Sequence, residues 1–143
     1  MKLSTKGEYG VLAMCELAAR HGEGPISIKD IAVKQGLSDA YLEQLFAQLK
    51  KTNLIKSVRG AKGGYVLTRD PSEITVGEVI DALEGPIEIS HCVGGANTDF
   101  KCGKTAVCAT RGLWMDVHQS IRNVIDNRTL KDLVDNASKE VIP

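Results

Sequence analysis

The feature that most restricts what this chain can fold into is a change of hydrophobic period near residue 53. Upstream, apolar residues recur at helical spacing; downstream, short β-prone runs flank a glycine-rich centre. The run Ile28-Lys29-Asp30-Ile31-Ala32-Val33-Lys34-Gln35-Gly36-Leu37-Ser38 has the spacing of a helix-turn-helix. Ala32 is small enough for two helices to approach, and Gly36 supplies a backbone that turns sharply. Ile31, Leu37, Leu42 and Leu45 fill the space between them. Ser27 is placed to cap a helix over 29–35 and Ser38 one over 39–51, with Tyr41, Leu42, Leu45, Phe46 and Leu49 as its inner stripe. Residues 54–58 and 65–67 then flank Arg59-Gly60-Ala61-Lys62-Gly63-Gly64, which reads as a hairpin with a glycine-rich tip. In this order the elements make a winged helix-turn-helix over about 28–69.

The flanking segments are mainly helical. Thr5-Lys6-Gly7-Glu8 reads as a capping box opening a helix through about residue 20, with Val11, Leu12, Met14, Cys15 and Leu17-Ala18-Ala19 largely on one face. Thr75-Val76-Gly77-Glu78 is another such box, and Gly85-Pro86 ends its helix. Residues 87–105 show no clean period. A long amphipathic helix follows over about 106–126, its stripe being Leu113, Val117, Ile121, Val124 and Ile125, and Thr129 caps a short last helix. The expected architecture is mainly α: a winged helix-turn-helix DNA-binding domain over 1–85, an irregular loop over 86–105, to which the cysteines and family resemblance below add cluster binding, and a long helix with a short C-terminal helix over 106–143, to which that resemblance adds dimerisation. With 143 residues, 43% hydrophobic and 25% charged, the chain can bury a real core. Glu16 and Arg20 interrupt the apolar N-terminal stretch, so no signal peptide or membrane span is expected and the predicted location is cytoplasmic.

Net charge is zero, but its distribution is uneven. Between Gln44 and Arg69 stand Lys50, Lys51, Lys56, Arg59, Lys62 and Arg69, with no Asp or Glu. Such a stretch is the electrostatic footprint of phosphate binding; an ordinary solvated face is the other reading. Ser38, Asp39, Ala40, Glu43 and Gln44 are small or polar at the start of the second helix of the pair, as contacts to base edges require. Arg59 is placed to enter a minor groove, and Gly60, Gly63 and Gly64 to let backbone approach phosphates. One Trp, three Tyr and two Phe are too few rings for a single-strand stacking platform, which leaves double-stranded DNA as the partner.

Cys92, Cys102 and Cys108 form C-x9-C-x5-C in and just after the irregular segment. In a reducing compartment such a set reads as metal-binding or redox-active rather than disulfide-bonded. Three thiolates suit zinc or an iron–sulfur cluster, each wanting a fourth ligand when closed. The absence of C-x2-C counts against the common zinc knuckles, and three unrelated thiols are the bland alternative. His91, beside Cys92, is a further candidate ligand against an exposed loop histidine. Cys15 reads as core.

The opening Leu3-Ser4-Thr5-Lys6-Gly7-Glu8-Tyr9, the run Tyr41-Leu42-Glu43-Gln44-Leu45-Phe46, the wing Val58-Arg59-Gly60-Ala61-Lys62-Gly63-Gly64-Tyr65 and Thr75-Val76-Gly77-Glu78-Val79-Ile80 resemble the IscR-type iron–sulfur regulators of the Rrf2 family, over essentially the whole chain to Val134. The resemblance implies a homodimer in which the long helix packs against its twin, a [2Fe–2S] cluster near the dimer interface, and control of iron–sulfur assembly genes. It also implies that Ser38, Ala40, Tyr41, Glu43, Gln44 and Arg59 contact or discriminate DNA. The proteobacterial pattern spaces its three Cys evenly and adds a His three residues later; here the first gap is longer and that position is Arg111, whose permanent proton prevents ligation. Other members take an acidic residue near the N-terminus of the partner subunit. Glu8 stands in the matching place, with the capping box as its competing role.

Together these readings predict a cluster-sensing transcription factor, mainly a repressor, binding a palindromic operator through two recognition helices. No general-base and nucleophile pair is evident, so an enzyme is not expected. A nitric-oxide or redox sensor with a [4Fe–4S] cluster and a zinc-containing regulator of sulfur metabolism remain as alternatives. Glu43 sets a carboxylate near base edges or phosphates, where it penalises the wrong operator unless paired.

Overall fold

In a computed structural model of the chain, which describes residues 4–90, 93–94 and 109–139, helix α1 spans Thr5–Ala19. Its N-cap is Ser4 rather than Thr5, and no side chain caps it. The expected box of Thr5 and Glu8 does not form, because the chain entering the helix is held from elsewhere. The Ser4 N–H donates to Glu84 Oε1 at 2.8 Å, and the Ser4 hydroxyl donates to the same oxygen.

Helices α2 (Ile28–Gln35) and α3 (Asp39–Lys51) form the helix-turn-helix, each opened by the serine expected of it. Ser27 Oγ accepts from the Asp30 N–H and Ser38 Oγ from the Tyr41 N–H, both at 3.1 Å. Gly36 joins them at φ +68°, a left-handed conformation that costs glycine little. Leu42, Leu45, Phe46 and Leu49 place one side of α3 at the centre of the core, against Met14 and Leu17 of α1 and Ile31 of α2.

The period change becomes an antiparallel wing, β1 (Ile55–Val58) on β2 (Gly64–Leu67), in register Ile55↔Leu67 through Val58↔Gly64. Ile26 bridges Tyr65 on the outer side of β2 through a reciprocal pair of backbone bonds of 3.1 and 2.8 Å. The Tyr65 ring meets Phe46 edge-on at 4.9 Å. The wing base is thereby fixed to both the linker before α2 and the core.

After a short 3-10 turn (Pro71–Glu73), α4 runs over Val76–Glu84. Its capping box is complete: the Glu78 N–H donates to Thr75 Oγ1 at 3.2 Å and the Thr75 N–H to Glu78 Oε2 at 2.9 Å. A Cβ on Gly10 would overlap Leu83, so this glycine is what lets α4 lie close on α1. The aperiodic segment contains a short pairing of β3 (Glu88–Ser90) with β4 (Val93–Gly94), although no periodicity announced it. Helix α5 spans Arg111–Asp126 with Thr110 as N-cap, a later start than the expected residue 106. Helix α6 (Leu130–Lys139) opens with reciprocal Thr129–Asp132 bonds of 3.0 and 3.1 Å.

Helix α6 packs on α1, and Leu130 is fully buried in the common core. The last helix therefore packs with the winged body. Helix α5 is different. None of its residues is buried, and it packs mainly on α4 and the β3–β4 pair. Among the described residues, no helix is long and apolar enough to cross a membrane.

Candidate nucleic-acid interface

One side of α3 is consumed by the core, which leaves its N-terminal edge to solvent. Ser38, Asp39, Ala40, Glu43 and Gln44 are all exposed. Ser38 Oγ already accepts from the Tyr41 N–H, so its hydroxyl proton remains available to an external acceptor. The first-turn N–H groups and the helix dipole favour an anion here, while the Asp39 and Glu43 carboxylates oppose one. The edge is thus selective about what approaches it.

Tyr41 is half-buried and turns back toward α1. Its ring meets Tyr9 edge-on at 6.0 Å, and its hydroxyl lies 3.4 Å from Thr5 Oγ1. Thr5 and Tyr9, one turn apart on α1, therefore buttress the recognition helix. Neither was singled out from the sequence for this role, because only the tertiary fold brings the first turns of α1 to Tyr41.

The wing carries Arg59, Gly60 and Lys62, all exposed, with Lys51 and Lys56 exposed nearby. Lys50 Nζ donates to Ser57 Oγ at 3.1 Å, joining α3 to β1 without neutralising the lysine. Arg69 does not belong to this set. Its guanidinium lies 2.9 Å from Glu78 Oε1 and donates to the Glu73 carbonyl at 3.0 Å. A carboxylate just beyond the counted stretch thus pairs with a charge that the local count treated as free.

The wing glycines also divide. A Cβ on Gly63 would strike the Val58 carbonyl, and one on Gly64 the Ile26 backbone. Both glycines serve the packing of the wing itself. Gly60 alone keeps open space around it, at φ +126°, so the expected close approach to a phosphate stays with Gly60.

Of the candidate metal ligands, His91, Cys92, Cys102 and Cys108 lie outside the described residues. Glu8 is exposed on the first turn of α1, between Thr5 and Tyr9. With the capping box absent, its carboxylate has no hydrogen-bond or ion-pair partner among the described residues. It lines a groove of about 620 Å³ whose other walls include Val11 and Leu12 of α1, Ile80 of α4, Val124 and Ile125 of α5, and Leu133 of α6. No group of three metal-ligating side chains occurs among the described residues. Cys15 packs against the core; burial first, then the charge on Glu16, pushes its thiol up to about 11. That is the environment of a structural thiol rather than of a nucleophile.

Comparison with known proteins agrees with this geometry. Residues 3–136 match the model of the Rrf2 family, described as an iron-dependent transcriptional regulator. The regulator IscR of Serratia proteamaculans is 42% identical over 142 residues, covering 99% of this chain and 84% of that protein. The solved structure of T. potens IscR superposes with a TM-score of 0.80 at 44% identity, covering 100% of this chain and 93% of that one. That of CymR, the global cysteine regulator of B. subtilis, superposes with a TM-score of 0.79 at 43% identity, covering 95% and 98%.

Proposed function

Because the chain belongs to the Rrf2 family of transcriptional regulators, we propose that it works as a homodimer on double-stranded DNA, mainly as a repressor at a palindromic operator. Ser38, Asp39, Ala40, Glu43 and Gln44 face the major groove, Tyr41 acts from behind them through its contacts with α1 rather than as an exposed reader, and Arg59, Gly60 and Lys62 engage the flanking minor groove and phosphates. The observation that carries this reading is an exposed, polar helix N-terminus joined through Lys50 and Ser57 to a basic hairpin. Dimerisation is supported by apolar surface that a single chain leaves in water. On α5, Leu113 is 54%, Met115 45% and Val124 58% exposed, and the groove beside Glu8 continues that surface.

In the proposed sensor, the loop over 86–105 and the start of the following segment supply Cys92, Cys102 and Cys108, and Glu8 of the partner subunit supplies the fourth ligand, with His91 as runner-up. Three thiolates and a carboxylate form a donor set suited to iron, and the unpartnered Glu8 carboxylate fits that role. A [2Fe–2S] cluster held there would supply a one-electron couple and an occupancy signal. Residues of this chain connect that signal to DNA: Glu8 lies between Thr5 and Tyr9, the two residues that buttress Tyr41. Whatever Glu8 ligation does to the first turn of α1 is felt at the recognition helix. By reciprocity, the preferred operator favours the same ligation state. The genes controlled are, on this reading, those of iron–sulfur assembly.

The likeness to CymR, a cysteine regulator, favours a second reading: control of sulfur metabolism, with zinc or no metal at the thiols. Anaerobic purification separates the two, with visible spectra and iron, sulfide and zinc content for wild type, Glu8→Ala and His91→Ala. The expected result is a coloured protein with equal iron and sulfide, bleached by Glu8→Ala and not by His91→Ala. Colourless protein with stoichiometric zinc overturns the cluster reading, and the visible spectrum of a [4Fe–4S] centre, with doubled iron and sulfide per cluster, replaces it with a nitric-oxide or redox sensor.

A further inference from the structure

Among the described residues, the ion pairs that tie α5 to the winged body converge on one side chain. Arg122, with a side chain only 22% exposed, donates from Nη1 to Asp81 Oδ1 at 2.8 Å and from Nη2 to Asp81 Oδ2 at 3.0 Å. It also donates from Nε to Asp126 Oδ2 at 3.0 Å and from Nη2 to Asp126 Oδ1 at 2.6 Å. Two edges of one planar guanidinium are thus held by two carboxylates, one on α4 and one on α5. A fork-on-fork pair fixes rotation as well as distance, which a single lysine contact does not.

The backbone is shaped to admit this clamp. A Cβ on Gly77 of α4 would overlap Asp126 Oδ1 and stand 3.2 Å from Arg122 Nη2. The absent side chain at Gly77 is therefore what leaves room for the Asp126 carboxylate and the Arg122 fork. Just beyond, the Val76 N–H donates to the Arg128 carbonyl at 2.8 Å and the Leu130 N–H to the Ile74 carbonyl at 2.9 Å, anchoring the chain as it leaves α5. From this anchor α5 runs back past the β3–β4 pair with no buried residue, carrying Leu113, Trp114 and Met115 at its far end.

This is a lever with a fixed base. From Arg122 back to Arg111 the helix is about 17 Å long, so a tilt of about 10° at the clamp moves its far end by roughly 3 Å. That is close to the rise of one base pair, about 3.4 Å along the duplex. If α5 mediates the dimer, the tilt at the clamp sets how far apart the two recognition helices stand.

We infer that Arg122, held between Asp81 and Asp126 over Gly77, is a positioning residue that fixes the separation of operator half-sites the dimer accepts. The inference rests on the dimeric, palindrome-reading function proposed above and touches none of the residues assigned to DNA contact.

The test is selection of binding sites from a duplex pool, randomised over a stretch long enough for two half-sites. Wild type, Arg122→Gln, Arg122→Lys and Gly77→Ala are compared, each checked for folding by circular dichroism and for mass by light scattering. Wild type is expected to recover paired half-sites at one separation. Arg122→Gln and Gly77→Ala should recover the same half-site sequence spread over neighbouring separations, with discrimination against a site longer by one base pair reduced by about tenfold. Arg122→Lys, with charge but no fork, should fall between. Gly77→Ala removes no charge, and it carries the test should Arg122→Gln fail to fold. Unchanged spacing and discrimination in folded, dimeric variants overturns the clamp while leaving the function intact. Wild type that enriches no paired site overturns the palindromic dimer, and the clamp with it.

Discussion

Burial pushes the Cys15 thiol from 9.0 up to about 11, and the direction of the consequence is fixed. Above 9.0 the unfolded chain releases this proton while the folded chain keeps it, so the unfolded state gains. The stability that the protonated thiol contributes is fully present below 9.0 and is lost as pH rises through about 11. Urea midpoints of wild type and Cys15→Ala, followed from neutral pH into this range, should diverge, with wild type falling more steeply. Parallel profiles would sink the assignment. The same residue-scale physics separates two arginines that look alike in the sequence. Arg59 stands in open solvent at the wing, whereas Arg69 is held by Glu78 and the Glu73 carbonyl. A local charge count treats them equally because it contains no information about Glu78.

At the scale of elements, caps show how far local sequence reaches. Ser27, Ser38, Thr75 and Thr129 each sit where the residue three positions on returns its N–H to the side-chain oxygen. Thr75→Ala removes one half of a reciprocal box inside the body, and a loss of about 1 kcal/mol is expected from chemical denaturation. Ser38→Ala should cost a similar amount and also weaken DNA binding, because the same hydroxyl stands at the proposed groove. If Ser38→Ala lowers stability and leaves DNA affinity unchanged, Ser38 is a cap only. Thr5-x-x-Glu8 matches the same pattern and fails, since Glu84 draws Ser4 to itself at the helix entrance. The capping pattern was legible in every case; which instance survived depended on a residue eighty positions away.

For the whole molecule, zero net charge hides a divided surface. Lys50, Lys51, Lys56, Arg59 and Lys62 are carried by the end of α3 and the wing, while the reading edge itself bears the Asp39 and Glu43 carboxylates. Binding to a duplex should therefore weaken steeply with salt, and Arg59→Ala should reduce the slope of log K against log salt by about one unit per bound subunit. Fluorescence anisotropy over a salt series measures this. A slope unchanged by Arg59→Ala would remove Arg59 from the phosphate and minor-groove contacts. The helix-turn-helix and wing were readable because each is local: period, cap, turn and hairpin are all written within a few residues. The groove beside Glu8 was not, since α1, α4, α5 and α6 all contribute to it.

By itself the sequence determined the order and kind of the DNA-reading elements, from the serine caps through Gly36 to the period change that makes the wing. It determined too that thiols cluster at 92, 102 and 108. Tertiary structure alone decided that Glu8 is released from its cap, that Arg69 is neutralised, that Gly63 and Gly64 serve the wing's own packing, and that Arg122 ties α5 to α4. The division has one physical cause. Helix and turn preferences act over a few residues, whereas ion pairing and close packing depend on which distant groups the fold brings within a few ångströms.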